Sequence, residues 1–155
     1  MVEHQVTFLK TEHKVYSRQY RFAGTMDALA IVNACTRPAC CPKDYHNQLC
    51  VLDWKTSNQL SNDYLMQCAA YQQCEYEEFG KIIDARWILR IGKTEGDFES
   101  WYLPAETFEQ DFQAFTYCLQ LKRLMRKIET RMSEAKKSRT ARKKAAKKEV
   151  ACSKS

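Results

Sequence analysis

The stretch LCVLDWKT, residues 49–56, most constrains how this chain can fold, because a run of apolar residues ends in an acid and a lysine two positions apart. Alternate side chains of a strand share a face, so Asp53 and Lys55 emerge together, roughly 7 Å apart at Cα. Leu52 and Trp54 then point the other way, toward the expected core. An exposed ion pair contributes only about 0–1 kcal/mol, so stability alone does not call for one here. SNQLSND breaks the strand and offers Ser61 or Asn62 as a helix cap. YLMQCAAYQQCEYEEF then reads as a helix of about four turns, stopped by Gly80.

The flanking segments extend this pattern. VEHQVTFLK alternates Val2, His4, Val6 and Phe8 against polar residues, which predicts a first strand. After the polar break TEHK, the stretch VYSRQYRFAGTMDALAIV predicts a second strand, hairpin-paired with the first and bulged at Gly24. NACTRPACCPKDYHNQ carries two prolines and reads as a loop. IIDARWILRIG and FESWYLP predict two more strands around the turn KTEGD. A long closing helix is expected from the spacing of Phe108, Phe112, Phe115, Leu119, Leu121 and Met125. The order β-β-β-α-β-β-α predicts an α/β fold, a central mixed sheet flanked by helices.

At 155 residues the chain suits one domain. No apolar run reaches membrane-spanning length, and the N-terminus lacks the basic-then-apolar order of a secretory signal. Eight cysteines in a chain with an ample periodic core read as reduced thiols of a cytoplasmic protein rather than a disulfide scaffold. The charge is uneven: of 25 Lys and Arg against 19 Asp and Glu, residues 133–155 hold nine against two. The expected division is therefore a domain over 1–132 and a basic tail over 133–155. Such a tail is a solvated helix or a flexible arm, and Lys136, Lys137, Arg139, Arg142, Lys143 and Lys144 can add sequence-independent phosphate contacts.

Further residues bear on the Asp53–Lys55 pair. Asp27, in FAGTMD, comes beside Asp53 if the second and third strands pair. Two adjacent carboxylates raise each other's pKa unless a cation neutralises them. Mg²⁺ accepts such a site, since it keeps waters and completes its shell with substrate phosphate. A lysine alongside can hold the attacking water or the scissile phosphate. Tyr64, Gln67 and Tyr71 share one helical face. A buried glutamine amide needs partners, so Gln67 is expected to orient the lysine or touch a nucleic-acid backbone.

GTMD, VLDWKTS and YLMQCAAY, in that order, resemble the PD-(D/E)xK nuclease superfamily in its RecB-like exonuclease branch, which includes phage exonucleases and the mitochondrial genome-maintenance exonuclease. The likeness runs from about Glu3 to Lys127. It implies a restriction-endonuclease-like core and a metal-dependent exonuclease acting on DNA in replication, recombination or repair, with a phage or prophage origin among the expectations. Asp27 and Asp53 would hold Mg²⁺ or Mn²⁺, joined by the main-chain carbonyl of Trp54. Lys55 would be the motif lysine, Gln67 and Tyr71 the QxxxY element, and Tyr64 a nucleic-acid contact. Met26 stands where the motif has proline, and the chain begins almost at the first strand, without the helical region that relatives carry before it. A shortened domain, a fragment and a subunit needing a protein partner all fit that departure.

Two other expectations come from different chemistry. Cys35, Cys40, Cys41, His46 and Cys50 lie within one stretch and could hold a structural Zn²⁺, although their spacing lacks the paired C-x₂-C pattern. Cys68, Cys74 and Cys118 fall on helices as small apolar residues, and His4 and His13 suggest no catalytic partnership. A nucleic-acid-binding module on a nuclease fold is the alternative function.

Overall fold

Five strands form one sheet in chain order: β1 (Val6–Ser17), β2 (Phe22–Val32), β3 (Gln48–Lys55), β4 (Ala85–Ile91) and β5 (Phe98–Pro104). The computed structural model describes residues 5–33, 47–93 and 97–152. β1–β2, β2–β3 and β4–β5 pair antiparallel, whereas β3 and β4 are parallel. A parallel pair needs a crossover, and α1 (Asn62–Phe79) supplies it. The molecule is thus α/β with a mixed sheet. A short 3₁₀ turn, Ala105–Thr107, leads into α2 (Phe108–Cys152).

The ends of α1 follow its sequence. Ser61 has extended backbone and its side chain accepts from the Asp63 N–H, a cap worth about 1 kcal/mol. Gly80 closes the helix at φ 64, where its N–H and that of Lys81 reach the Tyr76 and Glu75 carbonyls.

The first hairpin differs from expectation. TEHK is strand rather than turn, and the chain reverses at Arg18–Arg21. The hairpin partners are as predicted, but the register shift lies between Phe8 and Lys10, not at Gly24. Gly24 pairs regularly with Val15 and serves close approach instead: a Cβ there would stand 2.7 Å from Tyr71 Cε1. A second irregularity sits at Glu12, whose φ of 47 lies in the left-handed region. The polar segment TEHK continues the strand, with His13 turned to Glu75 of α1 and Thr11, Glu12 and Lys14 exposed.

Each face of the sheet carries a cluster of buried residues. On the α1 side Val15, Met26, Leu29, Val51 and Ile88 pack with Cys68, Tyr71 and Cys74. On the other side Ala28, Ala30, Cys50, Leu52, Ala85 and Trp87 form a second cluster. The start of α2 is anchored by aromatic contacts, Tyr20 with Phe112 at 5.0 Å and Phe22 with Phe115 at 4.8 Å. Arg86, fully buried, adds an ion pair to Asp111 at 2.9 Å and donates to Thr107 Oγ1 at 2.6 Å.

Contacts divide the chain at Thr116 and Tyr117, ahead of the compositional boundary at Ser133. Within the second unit the chain carries helix to Cys152, and Leu121 and Met125 are exposed rather than part of the expected apolar face. At 100° per residue Leu121 falls about 150° and Met125 about 110° from the line of Phe108, Phe112 and Phe115. Among the described residues no helix is long and apolar enough to cross a membrane.

Candidate active site

The carboxyl end of β3 brings four of the expected residues into one connected chain. Asp53 and Lys55 alternate with Leu52 and Trp54, as the strand requires, but they point toward α1 and not to solvent. Asp53 is 1% exposed and Lys55 18%, whereas Trp54 on the opposite face is 38% exposed and rests against Phe8. The expectation of a core face and a solvent face is therefore corrected: α1 covers the acid and the lysine.

Lys55 Nζ lies 2.6 Å from Asp53 Oδ2. That oxygen has the lysine as its ion-pair partner, whereas Asp53 Oδ1 is buried without a hydrogen-bond partner among the described residues. Lys55 Nζ also donates to Gln67 Oε1 at 3.0 Å, and Gln67 Nε2 donates to the Tyr71 hydroxyl at 2.6 Å. Gln67 and Tyr71 are four residues apart on α1 and so face the same way. Tyr64, one turn earlier, packs against the core and places its ring 5.0 Å from Lys55 Nζ. Its role in the structure is to flank the lysine.

Asp27 arrives from β2. The β2–β3 ladder runs from Val32↔Gln48 to Ala28↔Leu52. One step further Asp27 stands opposite Asp53, and its Oδ2 accepts the Trp54 N–H at 2.7 Å. The carboxylate thus takes over a ladder bond at the point where the strands stop pairing. A strand residue's N–H and C=O leave on the same edge, so the Trp54 carbonyl is directed to the β2 edge too.

Burial pushes the Asp53 carboxyl above its usual range; contact with Lys55 pulls it down and the Asp27 charge pushes it up again. Burial pulls the Lys55 ammonium down, but its contacts with Asp53 outweigh that and raise it. Burial likewise raises the Tyr71 phenol, partly offset by Gln67. Cys68, fully buried on α1, is pushed up by burial and by the Asp53 charge, which keeps it a neutral thiol.

Arg90 was not anticipated as a site residue. It pairs in register with Lys55 across the parallel ladder. Its guanidinium donates to the Ser57 carbonyl at 3.1 Å and to Glu99 at 2.9 Å, and pairs with Asp97. It thereby ties the loop after β3 to the β4–β5 hairpin. The period-2 placing of Arg86, Ile88 and Arg90 is the sequence signal that puts Arg90 on the α1 face.

Other expected residues lie elsewhere. Lys136, Lys137, Arg139, Arg142 and Lys144 are exposed on the helix of the second unit; the Lys143 side chain lies outside the described residues. Of the candidate zinc ligands, Cys35, Cys40, Cys41 and His46 also lie outside them. Cys50 is a buried free thiol, its pKa pushed up to about 12 chiefly by burial. Cys68 and Cys74 are buried as expected, while Cys118 is exposed. His13 reaches Glu75 rather than the site. Among the described residues no three His, Cys, Asp or Glu side chains gather as a metal cage.

The chain matches no known family and no curated protein.

Proposed function

We propose that this protein is a metal-dependent deoxyribonuclease with a restriction-endonuclease-like core, acting as an exonuclease on DNA within the cell. The observation that supports it best is the unbroken chain Asp53–Lys55–Gln67–Tyr71 beside Asp27. A stability role accounts poorly for it, because burying a charged pair with one carboxylate oxygen left unsatisfied is costly.

The residues fit Mg²⁺ or Mn²⁺. Asp53 Oδ1 is a buried acceptor without a partner, and Asp27 stands opposite with one oxygen left over from its bond to Trp54. Mg²⁺ asks for only one or two carboxylates and keeps waters for the rest. Asp27 and Asp53 would hold the ion, with the Trp54 carbonyl as a main-chain ligand. When bound, the cation supplies charge for a phosphate oxygen and acidity for a water.

Lys55 brings a compact positive charge to the same place. Gln67 fixes its position by accepting a hydrogen bond from it, and the Tyr71 hydroxyl, accepting from Gln67 Nε2, fixes Gln67. In this reading Lys55 holds the attacking water or the phosphate, and Gln67 and Tyr71 on α1 keep that geometry. The basic residues of the second unit add affinity for the DNA backbone.

One observation favours a second reading, a DNA-binding module without hydrolysis: Lys55 already closes on Asp53. Cleavage of end-labelled DNA with Mg²⁺, Mn²⁺ or a chelator separates the two. Metal-dependent cleavage supports the nuclease, and binding without cleavage supports the module.

A further inference from the structure

The site depends on Asp27 leaving the regular alternation of β2, and the sheet shows how it does so. Regular strands put residues three apart on opposite faces. Yet Lys10 and His13 both reach α1, and across the ribbon Leu29 and Met26 both enter the core on that side. One residue of each strand is therefore out of alternation between them. Pairing resumes with Thr11↔Ala28 on one side and His13↔Met26 on the other, which leaves Glu12 and Asp27 as that pair. Glu12 takes a φ of 47, and Asp27 turns along the sheet to Trp54.

A single side chain grips both sides of this distortion. Glu75 is 0% exposed; its Oε1 lies 3.3 Å from Lys10 Nζ and 3.0 Å from His13 Nε2, with Lys81 Nζ 3.7 Å from Oε2. Glu75 follows Gln67 and Tyr71 at intervals of four, so the three form one row along α1. That row touches Lys55 at its first member, abuts Gly24 at its second and clamps β1 at its third.

We propose that Glu75 is a positioning residue for Asp27, holding the β1–β2 ribbon in the distorted form that aims this carboxylate at the end of β3. The proposal builds on the metal-site reading of Asp27 but is tested apart from it. One helix row then sets both halves of the site: Gln67 places the lysine and Glu75 places the acid. An ion cluster serving stability alone would not have to bracket the pair at which Asp27 leaves alternation.

The test is amide hydrogen exchange on the ¹⁵N-labelled full chain, read at Trp54, with Leu29 and Val51 as ladder controls. Glu75→Gln keeps the shape and removes the charge; Lys10→Met, which releases one side of the clamp, serves if the first variant does not fold. The expected result is exchange at Trp54 faster by about tenfold, with Leu29 and Val51 unchanged. Mn²⁺ affinity should fall by about tenfold in parallel. Unchanged exchange at Trp54, or a rise shared equally by Leu29 and Val51, overturns the proposal. A wild-type chain that neither binds Mn²⁺ nor cleaves DNA overturns the nuclease reading instead, and the exchange at Trp54 still decides the role of Glu75.

Discussion

Asp27 accepts the main-chain N–H of Trp54 at 2.7 Å, one residue beyond the last paired position of β2 and β3. A side chain has replaced a backbone acceptor where the two strands part. That substitution brings a second carboxyl group to the buried Asp53–Lys55 pair, so that two acids stand beside one lysine.

Asp27→Asn separates the two duties of this residue. The amide oxygen can still accept from Trp54, so the fold should hold to within about 1 kcal/mol in a urea titration. The charge is lost, so Mn²⁺ affinity and DNA cleavage should fall by at least about tenfold to a hundredfold. Loss of folding with this variant would assign Asp27 a structural role only.

Asp53 should leave a signature in stability against pH. Its folded-state pKa is raised from 3.8. The folded chain therefore holds that proton more tightly than the unfolded chain does. The resulting stabilisation is fully present below the ordinary carboxylate value and lost as pH rises through the elevated one. Lys55, raised from 10.5, contributes in full through neutral pH and loses that as pH rises from its ordinary value through the elevated one. Urea midpoints of wild type relative to Asp53→Asn should accordingly fall as pH rises from about 4 toward neutral. Mg²⁺ should raise the wild-type midpoint and leave the variant unmoved. A difference that grows with pH would contradict this account of the pair.

The Gln67 amide links Lys55 to Tyr71, and its removal should act through the lysine. Gln67→Leu should lower kcat by about tenfold or more, since hydrogen bonds to charged groups are worth about 1.5–3 kcal/mol. Tyr71→Phe keeps the ring against Gly24 and should cost less, about 1 kcal/mol or under in both stability and activation. Steady-state kinetics on labelled DNA check the order. Equal effects on KM alone would place both residues in substrate binding.

Much of the fold was legible because it rests on local pattern. β3, α1, β4 and β5 follow from alternation, a Ser61 cap and a Gly80 stop. The turn of the first hairpin was misplaced since the polar run Thr11–Lys14 looks like a break until Glu75 is seen beneath His13. The expected site residues Asp53, Lys55, Gln67 and Tyr71 came together because strand and helix spacing fix their faces. The depth of Asp53 was not legible: a strand pattern tells which residues share a face, not whether a helix covers it. Arg90 and Glu75 were missed for a similar reason, as each draws its partners from distant elements.

The basic residues of the second unit should act without reading sequence. Removing residues 133–155 should weaken DNA binding evenly across sequences and flatten its salt dependence by about one unit of slope per lost phosphate contact. Binding isotherms at several salt concentrations on two unrelated duplexes test this. A changed sequence preference would contradict it.

The most direct measurement is cleavage of end-labelled single- and double-stranded DNA by the full chain with Mg²⁺, Mn²⁺ or EDTA, comparing wild type with Asp53→Ala and Lys55→Ala. The account predicts metal-dependent cleavage by wild type, reduced by at least about a hundredfold in both variants, with a product ladder that gives the polarity. DNA binding that persists in all three proteins, with cleavage in none, would contradict it.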